Sequence, residues 1–233
     1  MQTVLRVSGL LVASLLLTAC AKTQVRPPPQ AQEALPAIGA PDLREATVYE
    51  VSAASRASIH VFKGGTLARL GHNHVMTAHD ITGRVWMHAS FERSGFELSF
   101  PVAALVVDDP QARATAGAEF PGEISEDDRE GTRKNMLLAA VLDAQSYPMI
   151  TLRSVRIEGS QANAHLIVRI TIKGVSRDVA VPVTVTIDGN RLRAAGEFDV
   201  QQTDFGIKPF SIGLGALEVQ DRLHVVFNII ADK

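Results

Sequence analysis

Four of the chain's seven histidines, His72, His74, His79 and His88, fall within one short stretch. In an extended strand His72 and His74 would point to one face, and a His-x-His pair on one face can chelate a metal. A zinc site needs a third or fourth ligand. His79 has the wrong parity unless a bulge intervenes, whereas His60 and His88 have the right parity on neighbouring strands. The competing reading makes Gly71-His72-Asn73-His74 a polar loop at the mouth of a larger structure, with solvated or hydrogen-bonded imidazoles. His72 and His74 are therefore only candidates, and no metal site is assigned.

Other chemistry is thinner still. Asp108-Asp109 fits a loop, and Glu126-Asp127-Asp128 fits a helix N-terminus, where carboxylates meet the positive end of the helix dipole. No Gly-x-Ser-x-Gly elbow and no phosphate loop is present. Gly213-Leu214-Gly215 lacks the strand-to-helix context and the further glycines of a dinucleotide site. Trp86, the only tryptophan, suits packing. No nucleophile, base and orienter can be assembled, so the chain reads as a binding protein without a cofactor, not an enzyme.

Composition agrees. The 233 residues carry 23 Lys+Arg against 25 Asp+Glu, a balance that offers no electrostatic case for nucleic acid. The single cysteine excludes a disulfide framework and a cysteine-based zinc site. Arg6 followed by the apolar run 7–19 reads as a secretory signal, too short at about 1.5 Å per residue to span a hydrocarbon core of about 30 Å. The run ends Leu17-Thr18-Ala19-Cys20, which resembles the lipobox of bacterial lipoproteins. That resemblance implies cleavage after residue 19, acylation of Cys20, and, with Ala21 next, the outer membrane facing the periplasm. Residues 20–46 then form a lipidated, Pro-rich tether, with Pro27, Pro28, Pro29, Pro36 and Pro41 among Ala and Gln.

From Thr47 onward the period is two. Ala57, Ile59 and Val61 alternate with polar or outward residues, as do Phe96, Leu98 and Phe100. So do Leu166 to Ile172, Val179 to Ile187, and Leu223 to Ile229. Such regular alternation predicts half-buried antiparallel strands, separated by turns at Glu158-Gly159-Ser160, Lys173-Gly174-Val175 and Asp188-Gly189-Asn190. One stretch breaks the pattern. Ser125 reads as an N-cap, Met136, Leu137, Ala140 and Val141 recur at helical spacing, and Tyr147-Pro148 is a stop. A helix is predicted from about Glu126 to Asp143, with a shorter helical turn around Gln111 to Ala118. About eight strands can stack as a sandwich or close as a barrel, and an eight-stranded barrel is wide enough for one small ligand.

Several segments resemble the YceI family of polyisoprenoid-binding, lipocalin-like proteins. They are Val102 to Asp108, Leu142 to Leu152 with its Tyr147-Pro148 step, Leu166 to Val181 with Ile170-Thr171-Ile172-Lys173-Gly174-Val175, and Thr203-Asp204-Phe205-Gly206-Ile207. The resemblance covers about residues 47–233. It implies an all-β, lipocalin-like, eight-stranded antiparallel barrel with one helix in a connecting segment, holding a long apolar lipid or isoprenoid. The inward ladders would line the site, with Leu98, Phe100, Leu152, Val168, Ile170, Val183, Phe198 and Phe227 as its ligand-binding residues. The chain departs from the family at Arg69-Leu70-Gly71-His72-Asn73-His74-Val75, where a "K-H-x-G" loop is usual, and in the longer segment 109–123. The expected protein is a lipid-anchored carrier in the bacterial cell envelope, with the polar head of its ligand near Arg69, His72 or His74. Two alternatives stay open: a structural or interaction lipoprotein whose barrel is filled by its own side chains, and a metal-handling protein using the histidine mouth.

Overall fold

The computed structural model describes residues 35–233; the signal segment, Cys20 and the first part of the tether lie outside them. The described strands and α-helices follow in the order β1 (Thr47–Val51), β2 (Arg56–Gly64), β3 (His74–Ala78), β4 (Thr82–Met87), β5 (Gly95–Pro101) and β6 (Val106–Val107). Then come α1 (Pro110–Thr115), α2 (Glu126–Leu137), β7 (Met149–Ser160), β8 (Asn163–Ile172), β9 (Val175–Asp188), β10 (Arg191–Gln201), β11 (Ser211–Ile212) and β12 (Leu217–Asp232).

Alternation gives each long strand one apolar face, and closing the sheet buries all those faces at once while removing its edges. The ring runs β1, β4, β5, β7, β8, β9, β10 and β12, and β12 pairs back onto β1. It is a closed, eight-stranded antiparallel barrel. Two staves are split: β2 continues the line of β1 along β12, and β3 pairs with β2 as β4 does with β1. At the first split the Ser55 hydroxyl bridges the gap beside the Ser52 N–H, which donates to the Ile230 carbonyl at 2.8 Å. The hydroxyl donates to the Ile230 carbonyl and accepts from the Ile230 N–H, both at 3.0 Å, so the buried ladder stays satisfied.

The two ends of the barrel differ. One carries the connections 88–94, 161–162 and 189–190 and is plugged by the buried cluster Tyr49, Met87, Leu192 and Ala231. The other carries the crossing between β5 and β7, which contains both helices, and the segment between β10 and β12. In α1, Asp109 is the N-cap, accepting from the N–H groups of Gln111 and Ala112, with Pro110 in the first turn. In α2, Ser125 caps through the Asp128 N–H.

The helix predicted to reach Asp143 stops at Leu137. Leu137, Leu142 and Ala144 all pack against the same core. A continuous helix at 3.6 residues per turn would place Leu142 roughly 140° around from Leu137, facing away from it. The chain instead leaves the helix at Leu138 and winds through turns, with Asp143 in the left-handed region at φ 47°.

The described part of the Pro-rich stretch lies along the outer wall. Arg169 on β8 donates to the Pro36 carbonyl, and Arg153 on β7 donates to the Gly39 carbonyl at 2.6 Å. Near the closed end Arg93 donates to the Asp42 carboxylate at 3.0 Å, and His88 Nε2 donates to the Asp42 carbonyl at 2.9 Å. Residues 36–42 thus form a strap held by main-chain and charged contacts.

Candidate functional site: the barrel lumen

The inward ladders leave a cavity of about 390 Å³ inside the barrel. Leu98, Phe100, Leu152, Val168, Ile170, Val183, Phe198 and Phe227 all line it. On β8 the lining runs through Leu166, Val168, Ile170 and Ile172, six steps of about 3.4 Å or some 20 Å of apolar wall. The polarity is the reverse of a membrane-spanning barrel, whose lipid face is apolar and whose interior is polar. Here the outward residues of the same strands include Arg153, Arg169 and Asp178, the last two joined in a two-bond fork at 2.7 and 2.8 Å.

One end of the lumen is shut. Met87, Ser94 and Leu192 line it there and are buried. At the other end the lining includes the exposed His72 and Glu218, so this is the mouth. The polar lining residues gather there: Lys63, His72, His74, Thr132, Asn135, Gln202 and Glu218 are all at the mouth or on the helix that crosses it, against Ser94 alone at the closed end. An occupant of this space is asked to be apolar for most of its length and polar at one end.

His74 is the best-positioned polar group. Its Nδ1 donates to Asp108 Oδ2 at 2.6 Å, while Asp108 Oδ1 accepts from the Val75 N–H at 2.9 Å and from Arg113 Nη1 at 2.6 Å. A carboxylate can only accept, so the proton sits on Nδ1 and Nε2 is the free ring nitrogen. Asp108 and Arg113 are both buried. Burial works against the Asp108 charge, but the hydrogen bonds from His74, Val75 and Arg113 outweigh it and hold the carboxyl below its ordinary value. Arg113 also donates to the carbonyls of Asn73, Pro121 and Gly122, stitching the loop before β3 to the α1–α2 connection. Asp108 itself adopts φ 51°, which lets its N–H donate to the Val75 carbonyl at 2.8 Å as its side chain returns to the Val75 N–H.

The histidines do not converge. The rings of His72 and His74 lie 6.4 Å apart. His60 points out of the barrel, between Phe120 at 4.8 Å and His224 at 5.5 Å, and His88 is at the closed end on the Asp42 carbonyl. Their matching parity said nothing about height along the barrel or about which wall they face. Among the described residues no group of three or more His, Cys, Asp or Glu side chains is placed to hold a metal. Sequence reasoning also treated Asp108 as part of a loop's acidic run, whereas it is a buried ion-pair partner. No spacing rule pairs residue 108 with both 74 and 113, since those contacts exist only once β3 and the crossing segment meet.

The sequence profile of the YceI-like domain matches residues 49–231, and the chain belongs to that family. A crystal structure of BcnA from Burkholderia cenocepacia superimposes with a TM-score of 0.56 at 18% identity, covering 78% of this chain and 99% of that one. At this identity the likeness is one of fold. The Campylobacter jejuni YCEI protein aligns at 12% identity over 67% of this chain and 82% of its own, with a TM-score of 0.48. No curated protein sequence matches the chain. The barrel is consistent with binding a hydrophobic ligand.

Proposed function

We propose that this member of the YceI-like family binds a single long apolar molecule of lipid or isoprenoid type, tail inward and polar end at the mouth, and that it does so as a lipid-anchored protein of the bacterial envelope. The observation that carries the reading is the lumen: an apolar cavity of about 390 Å³, shut at one end and polar at the other. Each methylene taken out of water contributes about 0.8 kcal/mol, so a ten-carbon tail alone supplies about 8 kcal/mol before ordering costs. Binding of this kind selects shape and length more than exact chemistry. A barrel filled by its own side chains would have no such space. The envelope location and the anchor rest on the signal and on Leu17-Thr18-Ala19-Cys20.

The experiment is mass spectrometry of organic extracts from the purified protein beside a lumen-filling variant. Ala194 lines the cavity, and Ala194→Trp would occupy it. A stoichiometric long-chain species retained by the wild type and lost from Ala194→Trp is expected. Equal extracts from both proteins, or none from either after incubation with a lipid mixture, would overturn the proposal.

A further inference from the structure

The large apolar side chains that the barrel leaves exposed are unevenly placed. Leu67 and Leu70 between β2 and β3, Leu138 and Tyr147 in the crossing, and Ile212 and Leu214 at β11 all sit at the mouth end; Val155, Ile187 and Val226 are exposed on the strand walls, Ile187 near the closed end, while the connections at the closed end expose none. Four of them belong to two loops tied together. The Leu67 N–H donates to the Ala216 carbonyl at 2.7 Å, and Gly65 comes so close to the Gly215 and Ala216 carbonyls that no side chain would fit there. Leu67, Leu70, Ile212 and Leu214 therefore form one apex beside the lumen opening.

Leu214 is the telling residue. It is held at φ 56° between Gly213 at φ 59° and Gly215 at φ 89°, a left-handed stretch that a branched side chain resists. Such strain is usually offset by packing, yet Leu214 is fully exposed. The exposed cations Arg69 and Lys208 lie on the same two segments. Exposed, separated apolar side chains with cations near them suit a lipid–water interface: the side chains enter the acyl boundary and the cations meet phosphate, with the exposed Asp204 and Glu218 the opposing charges nearby. A groove for a peptide or a flat face for a second subunit would look different.

We propose that this apex docks on the surface of a lipid bilayer, mouth towards the membrane, so that an apolar molecule passes between bilayer and lumen without crossing water. The docking surface is separate from the lumen: the passage of an apolar molecule rests on the function proposed above, while the docking itself does not.

The test uses the full chain with Cys20→Ser, which leaves an introduced thiol as the only one. An environment-sensitive nitrobenzoxadiazole label is placed at Leu214→Cys or, at the closed end, at Asn190→Cys. Each is mixed with phosphatidylethanolamine–phosphatidylglycerol vesicles whose acyl chains carry spin labels. Docking shifts the emission at 214 to the blue and quenches it, while the label at 190 stays as in water. Adding Leu70→Ser and Ile212→Ser, both exposed, is expected to cut the quenching at 214 by about fivefold, with the melting temperature showing that the fold is kept. A label at 214 that stays in water with or without vesicle binding overturns the proposal, as does equal quenching at 190 or no loss in the double serine variant. A blue shift without vesicles that grows with protein concentration assigns the apex to a second copy and also overturns it. A docked apex on a barrel that retains no lipid would instead strike the lumenal reading and leave this one standing.

Discussion

The closed end and the mouth are built from the same strands and obey different rules. At the closed end Tyr49, Met87, Leu192 and Ala231 pack into a plug, and the Asp188–Arg191 hairpin turns tightly with its only left-handed residue a glycine. At the mouth lie four of the five described non-glycine residues with positive φ, Asp108, Asp143, Lys173 and Leu214, against Glu45 alone before β1 at the closed end; Asp108 and Arg113 are buried as an ion pair, and leucines are exposed. Strain, buried charge and exposed apolar surface gathered at one end mark the end where something other than the fold itself sets the residues.

The largest expected effect breaks the mouth. Asp108→Ala leaves Arg113 buried without its carboxylate and frees His74, and we expect a loss of about 4 kcal/mol, measured by urea unfolding. A loss below about 1 kcal/mol would mean that the loops there relax around the charge. At the closed end Leu192, fully buried, should cost about 3 kcal/mol on Leu192→Ala. Leu98 is partly buried against a cavity already present, so Leu98→Ala should cost less than Leu192→Ala in the same experiment. Equal losses would show that the lumen is as tightly filled as the plug.

Acid should act on the two mouth-side titrating groups in sequence. Burial, with the neighbouring His224, holds the His60 pKa below its ordinary value while Glu119 opposes this. Below about pH 6.5 the unfolded chain therefore takes a proton that folded His60 resists, and stability declines as pH falls. Asp108, depressed by its hydrogen bonds against the cost of burial, contributes stability that is complete above its unfolded value of about 3.9 and is lost as pH falls through the folded one. Melting temperature against pH should show both limbs. His60→Phe should remove the upper limb alone; an unchanged profile would place the upper limb elsewhere.

The smallest effect is also the most diagnostic of strain. Leu214→Gly removes an exposed side chain from a left-handed position and is expected to stabilise by roughly 0.5–1 kcal/mol. A destabilised variant would show that Leu214 packs in solution after all.

Much of the fold was legible because a strand's side chains alternate with period two. That rule placed Leu98, Phe100, Leu152, Val168, Ile170, Val183, Phe198 and Phe227 on one wall without further information. It left a sandwich and a barrel both open, and the resemblance to the YceI family pointed to the barrel. Parity within a strand is silent about height and about which side of the wall is inward, however: His60 lies opposite Val75, beside His74, but on the outer face, and His88 lies at the closed end. It is equally silent where strands break, so the Ser55 hydroxyl filling the β1–β2 gap, the end of α2 at Leu137 and the strap across Arg153 and Arg169 were not readable in advance.

By itself, then, the sequence determined the half-apolar antiparallel strands, the residues on their apolar faces and the polar character of the stretch around His72 and His74, because these follow from local periodicity and residue type; the choice of barrel over sandwich came from the family resemblance. Only the tertiary structure decided which end is shut, that Asp108 joins His74 to Arg113, and that exposed leucines collect beside the opening. Those features are contacts between segments far apart in the chain, Tyr49 and Ala231 in the plug among them, and contacts of that kind come into being only when the ring closes.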